Sequence, residues 1–536
     1  MRRMKYADVV TRPIEVEVEA DSNPNSEPQA EPPKCTADDE VLRAQGHEAA
    51  LKRSFSILAS LGLAFNITNS WVGLLSNFGQ NLKYGGYQVA LFSVLIACFV
   101  QWAITLGLSE LASAFPSSGG QYHFVYIIAS KNTRRFGAFV TGWMSILGWW
   151  MAACSGISLV ANTILGLAQF LHPEFEIKQW HLYCVYLTIL IITMMPLLLC
   201  PERIPLITIL SLYLTLSGFV VWVVTILVMH KHGNSASSII RPGTGTSGWN
   251  GGTAWLLGVI NSMYSFGCTD GAIHIAEEIR LPGRRLPQIM NLTMAIGLCT
   301  AIPMITIIVV TAKDMEKVMN AGMPAIEVVY QPTGSKRVTI ALSVLLTIIY
   351  ASCLPPQWVT CGRLAWAFAR DGGTPFPGFF TKVDEKLQFP LRTTIASTIF
   401  AALYGLIYLA STTAFNSIIT SAITLLNLSY AVPQALLATR GREKCLPKRP
   451  LDLGRWGYAC NIFAPLWSAL MCVMVCFPPG LPVTTASMNW SAPILVALTL
   501  VILAFWFLIG ENFKGPDIDW DALNIKVETR SNVEAA

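Results

Sequence analysis

The sequence predicts an all-α integral membrane protein, and three observations carry that reading. Hydrophobic residues make up 53% of the 536 residues and charged residues only 13%, about half the charge of an ordinary soluble domain. Mean hydropathy is +0.50. Apolar stretches of about 20 residues, the length a bilayer core requires, recur from about residue 55 to about residue 510.

The chain then reads in order. Residues 1–50 are polar and rich in proline and acid, with Glu15, Glu17, Glu19 and Asp21. That composition predicts a disordered cytoplasmic tail without a cleavable signal peptide. Windows of about 19 residues predict twelve spans, near 55–78, 89–113, 136–170, 181–200, 206–230, 254–276, 289–311, 338–369, 394–411, 416–438, 458–477 and 490–510. The third and eighth exceed a straight crossing, so tilt or protrusion is expected. Residues 511–536 form a second tail. Twelve spans put both termini on one side. The loops on that side hold Lys131, Arg134, Arg135, Arg284, Arg285, Arg370, Arg442 and Arg449 among others, and the opposite loops hold fewer bases. The positive-inside rule therefore places both tails in the cytoplasm. The expected setting is the plasma membrane or the vacuolar membrane.

Composition also excludes functions. The net charge of +5 is spread over loops, so no basic domain offers itself to nucleic acid. The 13 cysteines lie mostly inside apolar runs, such as Cys98, Cys154 and Cys299, with no metal-binding or disulfide spacing. No Gly-x-x-x-x-Gly-Lys-Ser/Thr run exists, so ATP is not the direct energy source. Neither His-Glu-x-x-His nor Gly-x-Ser-x-Gly appears, so no catalytic residue, metal or cofactor is expected.

Two spans are interrupted. The sixth carries Ser265-Phe-Gly-Cys-Thr-Asp-Gly-Ala-Ile-His-Ile-Ala-Glu-Glu278. Each glycine weakens a helix interior by about 1 kcal/mol relative to alanine. An intramembrane Asp costs at least about 2.5 kcal/mol and marks function by default. The first span gathers Asn66, Thr68, Asn69, Ser70 and Gly73 at its middle, residues that draw the backbone out of a helix. The two defects lie five spans apart. An odd offset means opposite direction through the bilayer, the pattern of an inverted repeat. A broken helix bares N–H and C=O groups to a ligand, and paired breaks point to a transporter site. The plainer alternatives are a glycine-packed contact around a satisfied Asp and two unrelated kinks.

Three motifs carry a resemblance. Ser109-Glu-Leu-Ala-Ser-Ala-Phe-Pro-Ser-Ser-Gly-Gly-Gln-Tyr122 is similar to the cytoplasmic signature of the amino acid–polyamine–organocation permeases. Phe266-Gly-Cys-Thr-Asp-Gly-Ala-Ile-His-Ile-Ala-Glu-Glu-Ile279, with Arg284-Arg-Leu-Pro-Gln-Ile289, resembles their sixth span and following loop. Arg363-Leu-Ala-Trp-Ala-Phe-Ala-Arg-Asp-Gly-Gly-Thr-Pro-Phe376 resembles the end of their eighth span. The wording Thr68-Asn-Ser-Trp-Val-Gly73 points to the fungal subgroup of choline, GABA and amino-acid permeases. The resemblance covers about residues 50–510.

It implies a LeuT-like fold: inverted repeats over about 55–230 and 254–438, accessory helices over 458–510, and spans one and six unwound at mid-membrane. It implies a secondary transporter for a small amine-bearing solute such as an amino acid, GABA or choline, driven by a proton or sodium gradient. A non-transporting nutrient receptor on the same fold is the alternative. Family members usually carry Gly-x-Gly in span one, whereas Thr68–Gly73 holds one glycine. Span five holds no lysine, the proton site of some members.

Candidate substrate contacts are Thr68, Asn69, Ser70, Trp71 and Gly73, with Tyr264, Ser265, Phe266, Gly267, Cys268, Thr269 and Asp270. Trp71 either packs or lies over a substrate ammonium, a contact of about 2 kcal/mol when desolvated. By the resemblance, the ring of Phe266 closes over the substrate. Asp270 either anchors the break, accepts a cation or carries a proton. His274 is read as a packed histidine, with a proton relay as its alternative. Glu110, Arg134, Arg135, Glu277, Glu278, Arg284, Arg285, Arg370 and Asp371 are candidates for an inner-gate ion-pair network, or else simple topology anchors. Pro355 and Pro356 are expected to kink span eight beside the site.

Overall fold

A computed structural model describes residues 37–523 apart from 232, 241, 242, 244, 411 and 485–487. The expected disorder of residues 1–36 and the end of the second tail, residues 524–536, therefore lie outside the described residues. The described residues are helical, with only isolated bridges, Phe55 to Ile279 and Asp384 to Phe389.

Helix α1 (Ala37–Ala44) precedes α2 (Ile57–Thr68), which starts where the Ser56 side chain accepts the Ala59 N–H at 3.2 Å, a standard N-cap. Helix α3 (Ser70–Ala114) is interrupted at Gly85 and Gly86, and Gly86 adopts φ +64°, which a residue with a Cβ resists. There follow α4 (Gln121–Ile128), α5 (Arg134–Leu171), α6 (Gln179–Leu199) and α7 (Ile204–Met229). Next come α8 (Gly251–Met263) and two 3₁₀ segments, Tyr264–Phe266 and Thr269–Glu278. The remaining long helices are α9 (Pro282–Thr311), α10 (Lys336–Ser352), α11 (Leu354–Arg370), α12 (Leu391–Gly405), α13 (Thr412–Arg440), α14 (Gly454–Met474) and α15 (Ser491–Ile509).

Among the described residues, 10 helical stretches are long and apolar enough to cross a membrane. The sequence leads to a count of twelve, and two features account for the difference. Ile57–Ala114 counts as one stretch yet contains the first two expected spans. The expected sixth span is no continuous helix, being divided among α8 and the two 3₁₀ segments. The expected kink in span eight is present: α10 stops before Cys353, and Pro355 and Pro356 open α11, where a missing N–H does little harm.

Helix α2 lies at the centre, packed on α7 and α9, and α3 packs on α8 and α9. Every residue of α2 from Ala59 to Thr68 is buried. The periphery is the reverse. Val228 on α7 and Phe507 on α15 are 77% and 82% exposed, which suits lipid and not water.

Residues 37–50 are not the unstructured segment that composition predicts. Leu42, Gln45 and His47 are buried, and the Ala44 carbonyl accepts the Asp519 N–H at 3.0 Å. Residues 513–523 are likewise docked, with Phe513 against Phe139 and Phe368. Averaging over a polar tail hides a short stretch whose polar groups find partners on folding.

Candidate functional site

The first break is at Asn69, with φ +31° and ψ +63°. Asparagine tolerates this left-handed conformation because its short amide bonds locally. Asn69 Nδ2 donates to Thr215 Oγ1 at 2.9 Å and to Cys353 Sγ at 3.1 Å, and Thr215 donates to Asn69 Oδ1 at 3.2 Å. The second break begins where α8 tightens into Tyr264–Phe266. Gly267 is then extended and Cys268 left-handed at φ +60°. The two breaks touch. A Cβ on Gly73 would lie 3.2 Å from Ser265 Cα, and one on Gly271 would lie 2.8 Å from Ile67 Cδ1.

Between the breaks lies a cavity of ≈ 60 Å³. Its walls are Asn66–Asn69, Val72 and Gly73; Tyr264, Gly267 and Cys268; Ala152, Ser155, Gly156 and Leu159 of α5; Tyr350, Cys353 and Gln357 where α10 meets α11; and Ile423 of α13. Of the predicted contacts, Thr68, Asn69, Gly73, Tyr264, Gly267 and Cys268 line it. The other six sit behind it. Trp71 is fully buried against Phe219 and Trp222 of α7, with ring centroids 5.9 and 6.4 Å away, the contact its packing alternative expects. Ser70 and Phe266 pack around Gly297 of α9. Ser265 is buried beside Gly73, and Thr269 bonds Thr105 at 2.9 Å.

Asp270 is held by side chains of three helices. Its Oδ2 accepts Gln121 Nε2 at 2.7 Å and Trp149 Nε1 at 3.0 Å and faces His274 Nε2 at 3.1 Å; Oδ1 accepts the Tyr430 hydroxyl at 2.6 Å. One carboxylate thus ties the broken segment to α4, α5 and α13. The wall residues on α5, α10, α11 and α13 carry no local sequence signal, because only the fold brings them to the breaks.

The gate candidates gather at the end of the bundle where both tails dock. Arg370 holds Glu277 through two bonds, 2.8 and 3.0 Å, and Ser118 N–H adds a third at 3.3 Å. Arg363 holds Glu278 at 2.5 and 3.0 Å. Glu110, fully buried, accepts Arg442 at 2.6 and 2.7 Å, Arg449 at 2.8 and 2.6 Å and the Leu453 N–H at 3.1 Å. Asp371 binds His47 at 3.0 Å and the Tyr122 hydroxyl at 2.9 Å. Burial works to raise the Asp371 carboxyl, but His47 and then Arg370 hold it below its usual value. Burial drives His123 down to about 3, so it stays neutral while its Nε2 bonds the Gln45 carbonyl.

The other arginines do different work. Arg134 stacks on Tyr126 and Trp520, and Arg135 donates to the carbonyls of Gly510, Glu511 and Phe513. Among the described residues neither Arg284 nor Arg285 forms an ion pair; Arg285 bonds Gln288 at 3.2 Å. Sequence reading missed Arg363, Arg442, Arg449 and His47 as partners. Arg363, a base inside a membrane stretch, was the one visible signal.

The chain matches the family model described as "Amino acid permease" over residues 55–502. It is 32% identical over 468 residues to the choline transporter of Saccharomyces cerevisiae, covering 87% of this chain and 83% of that protein. It is 30% identical over 485 residues to the swainsonine transporter of Arthroderma benhamiae, covering 88% and 95%. Among solved structures, a manganese transporter of Eremococcus coleocola, crystallised with an aromatic bis-isothiourea substituted compound, superposes with a TM-score of 0.51 at 13% identity, covering 88% of this chain and 95% of that one. That likeness concerns the fold alone.

Proposed function

The chain belongs to the amino acid permease family, and on that premise we propose that it carries a small amine-bearing solute across a membrane by alternating access. It is a transporter and not an enzyme. The observation that carries the proposal is the cavity where the two helix breaks meet.

The lining supports a cationic head group. None of its residues is Asp, Glu, Lys, Arg or His. Asn66 spends both amide hydrogens on the carbonyls of Gly62, at 2.7 Å, and Thr208, at 3.1 Å. Among the described residues its Oδ1 is a buried acceptor without a partner, as are Thr68 Oγ1 and Gln357 Oε1. The C-terminal end of α2 adds the equivalent of about half a negative charge. Tyr264 and Tyr350 bring aromatic rings, whose faces attract cations. The solute contacts in this reading are Thr68, Asn69, Gly73, Tyr264, Gly267 and Cys268, joined by Asn66 and Gln357. Ser70, Trp71, Ser265, Phe266, Thr269 and Asp270 hold the breaks in shape. Choline, GABA and amino acids are the candidate solutes, and the likeness to a yeast choline transporter favours choline.

In the same reading the tail end faces the cytoplasm. The pairs Glu277–Arg370, Glu278–Arg363 and Glu110 with Arg442 and Arg449 close the inner gate there. Uptake of labelled choline, GABA and amino acids, in cells lacking their own permeases, tests the proposal. Saturable uptake of at least one amine is expected. No uptake of any, with the protein at the surface, would support the receptor alternative and end the transport reading.

A further inference from the structure

His274 is buried, and each of its ring nitrogens faces an oxygen that accepts. Nδ1 lies 3.0 Å from the Ser118 carbonyl and Nε2 lies 3.1 Å from Asp270 Oδ2. A carbonyl oxygen never donates, so Nδ1 must carry hydrogen. The second contact then needs one more hydrogen, on Nε2 or on Asp270 itself. Without it, an imidazole lone pair would face a carboxylate oxygen inside the bundle. The two side chains together thus hold one proton more than a neutral imidazole beside an ionised carboxylate.

We infer that the His274–Asp270 pair carries the coupling proton of the transport cycle. The inference rests on the transport reading above with a proton as its driving ion, and adds the residues that carry that proton.

The surroundings isolate that proton and connect it to both ends of the cycle. From α4 and α5, Gln121 and Trp149 donate to Asp270; from α13, the Tyr430 hydroxyl donates to it at 2.6 Å. The Trp149 ring stands edge-on to His274 at 6.0 Å. Among these neighbours the titratable groups are Asp270 itself, Tyr430 and, two residues from Asp270, the Cys268 thiol; among the described residues no lysine or arginine bonds the pair. Cys268 also lines the cavity between the breaks. On the other side, Ser118 accepts from His274 through its carbonyl, and its N–H bonds Glu277, the carboxylate held by Arg370. Loss of the proton, taken by water when the gate opens, turns the Asp270 contact repulsive unless Nδ1 gives up the Ser118 carbonyl. Either change strains the link between the second break and the gate. Rebinding a proton restores both bonds. Charge and proton balance: the pair gives up one H⁺ per cycle on the releasing side and regains one H⁺ on the loading side.

The test uses the full-length protein in reconstituted vesicles loaded with a pH-sensitive dye, with choline or whichever panel solute the wild type carries. Adding solute should acidify the lumen, and the accumulation ratio should rise by about tenfold per unit of imposed pH gradient, the limit for one proton per solute. His274→Gln keeps a donor toward Asp270 but cannot hold the extra proton. It should retain solute counterflow while losing acidification and pH dependence. Asp270→Asn is the second variant, judged only by whether any residual counterflow is pH-independent. Wild-type transport that follows sodium and moves no proton overturns the inference while leaving the transporter intact. So does a His274→Gln protein with wild-type acidification. Absence of counterflow in the wild type defeats the transport reading itself.

Discussion

Replacing Asp270 with alanine will abolish uptake and cut the amount of protein at the cell surface. Its carboxylate is fully buried and serves four side chains, Gln121, Trp149, His274 and Tyr430, from three helices and the broken segment itself. Removing one partner of a buried charged network costs about 3–5 kcal/mol, because the groups left behind have lost water and gained nothing. That is a large part of the stability of an ordinary domain. Asparagine will recover the shape and part of the surface level, but its NH₂ group meets donors where a carboxylate oxygen accepted them. Surface biotinylation and labelled-solute uptake measure the two effects separately. Normal uptake by Asp270→Ala would contradict its role as anchor.

The second large effect is expected at Glu110. It receives both Arg442 and Arg449 and is itself fully buried. Glu110→Ala leaves two guanidinium groups facing each other around an empty centre, again a loss of about 3–5 kcal/mol. Poor insertion and no uptake are expected. The triple variant Glu110→Leu with Arg442→Met and Arg449→Met will recover surface protein, since well-packed apolar replacements of a whole buried ionic group are often neutral or stabilising. Recovery of transport with it would show that the group is architecture; surface protein that remains inactive would assign the group to gating. A Glu110→Ala protein with wild-type abundance and uptake would remove it from both roles.

How legible these features were depends on their range along the chain. The breaks announce themselves locally: Asn66, Thr68, Asn69 and Gly73 in one span, Gly267, Asp270 and Gly271 in another. Such residues have no place in an uninterrupted apolar helix, and the structure puts left-handed backbone at Asn69 and Cys268. The proline pair at Pro355 and Pro356 was equally local. Partners were not legible. Arg363 lies 85 residues from Glu278, and Arg442 lies 332 from Glu110, so a basic loop could be recognised but not paired. Trp71 shows the same limit from the other direction. An aromatic beside a break suits a ligand or a neighbouring helix equally well, and only the positions of Phe219 and Trp222 decide. The docked residues 37–50 were hidden by the polar average of the stretch that contains them.

The most direct measurement is a structure determined by electron cryomicroscopy with a transported solute bound. If the bared main chain at the two breaks holds the solute, its density will lie between Asn66–Gly73 and Tyr264–Cys268, with its cationic head toward the end of α2. Solute bound elsewhere, or a continuous α-helix through Asn69 and Cys268 with no space between them, would contradict that claim.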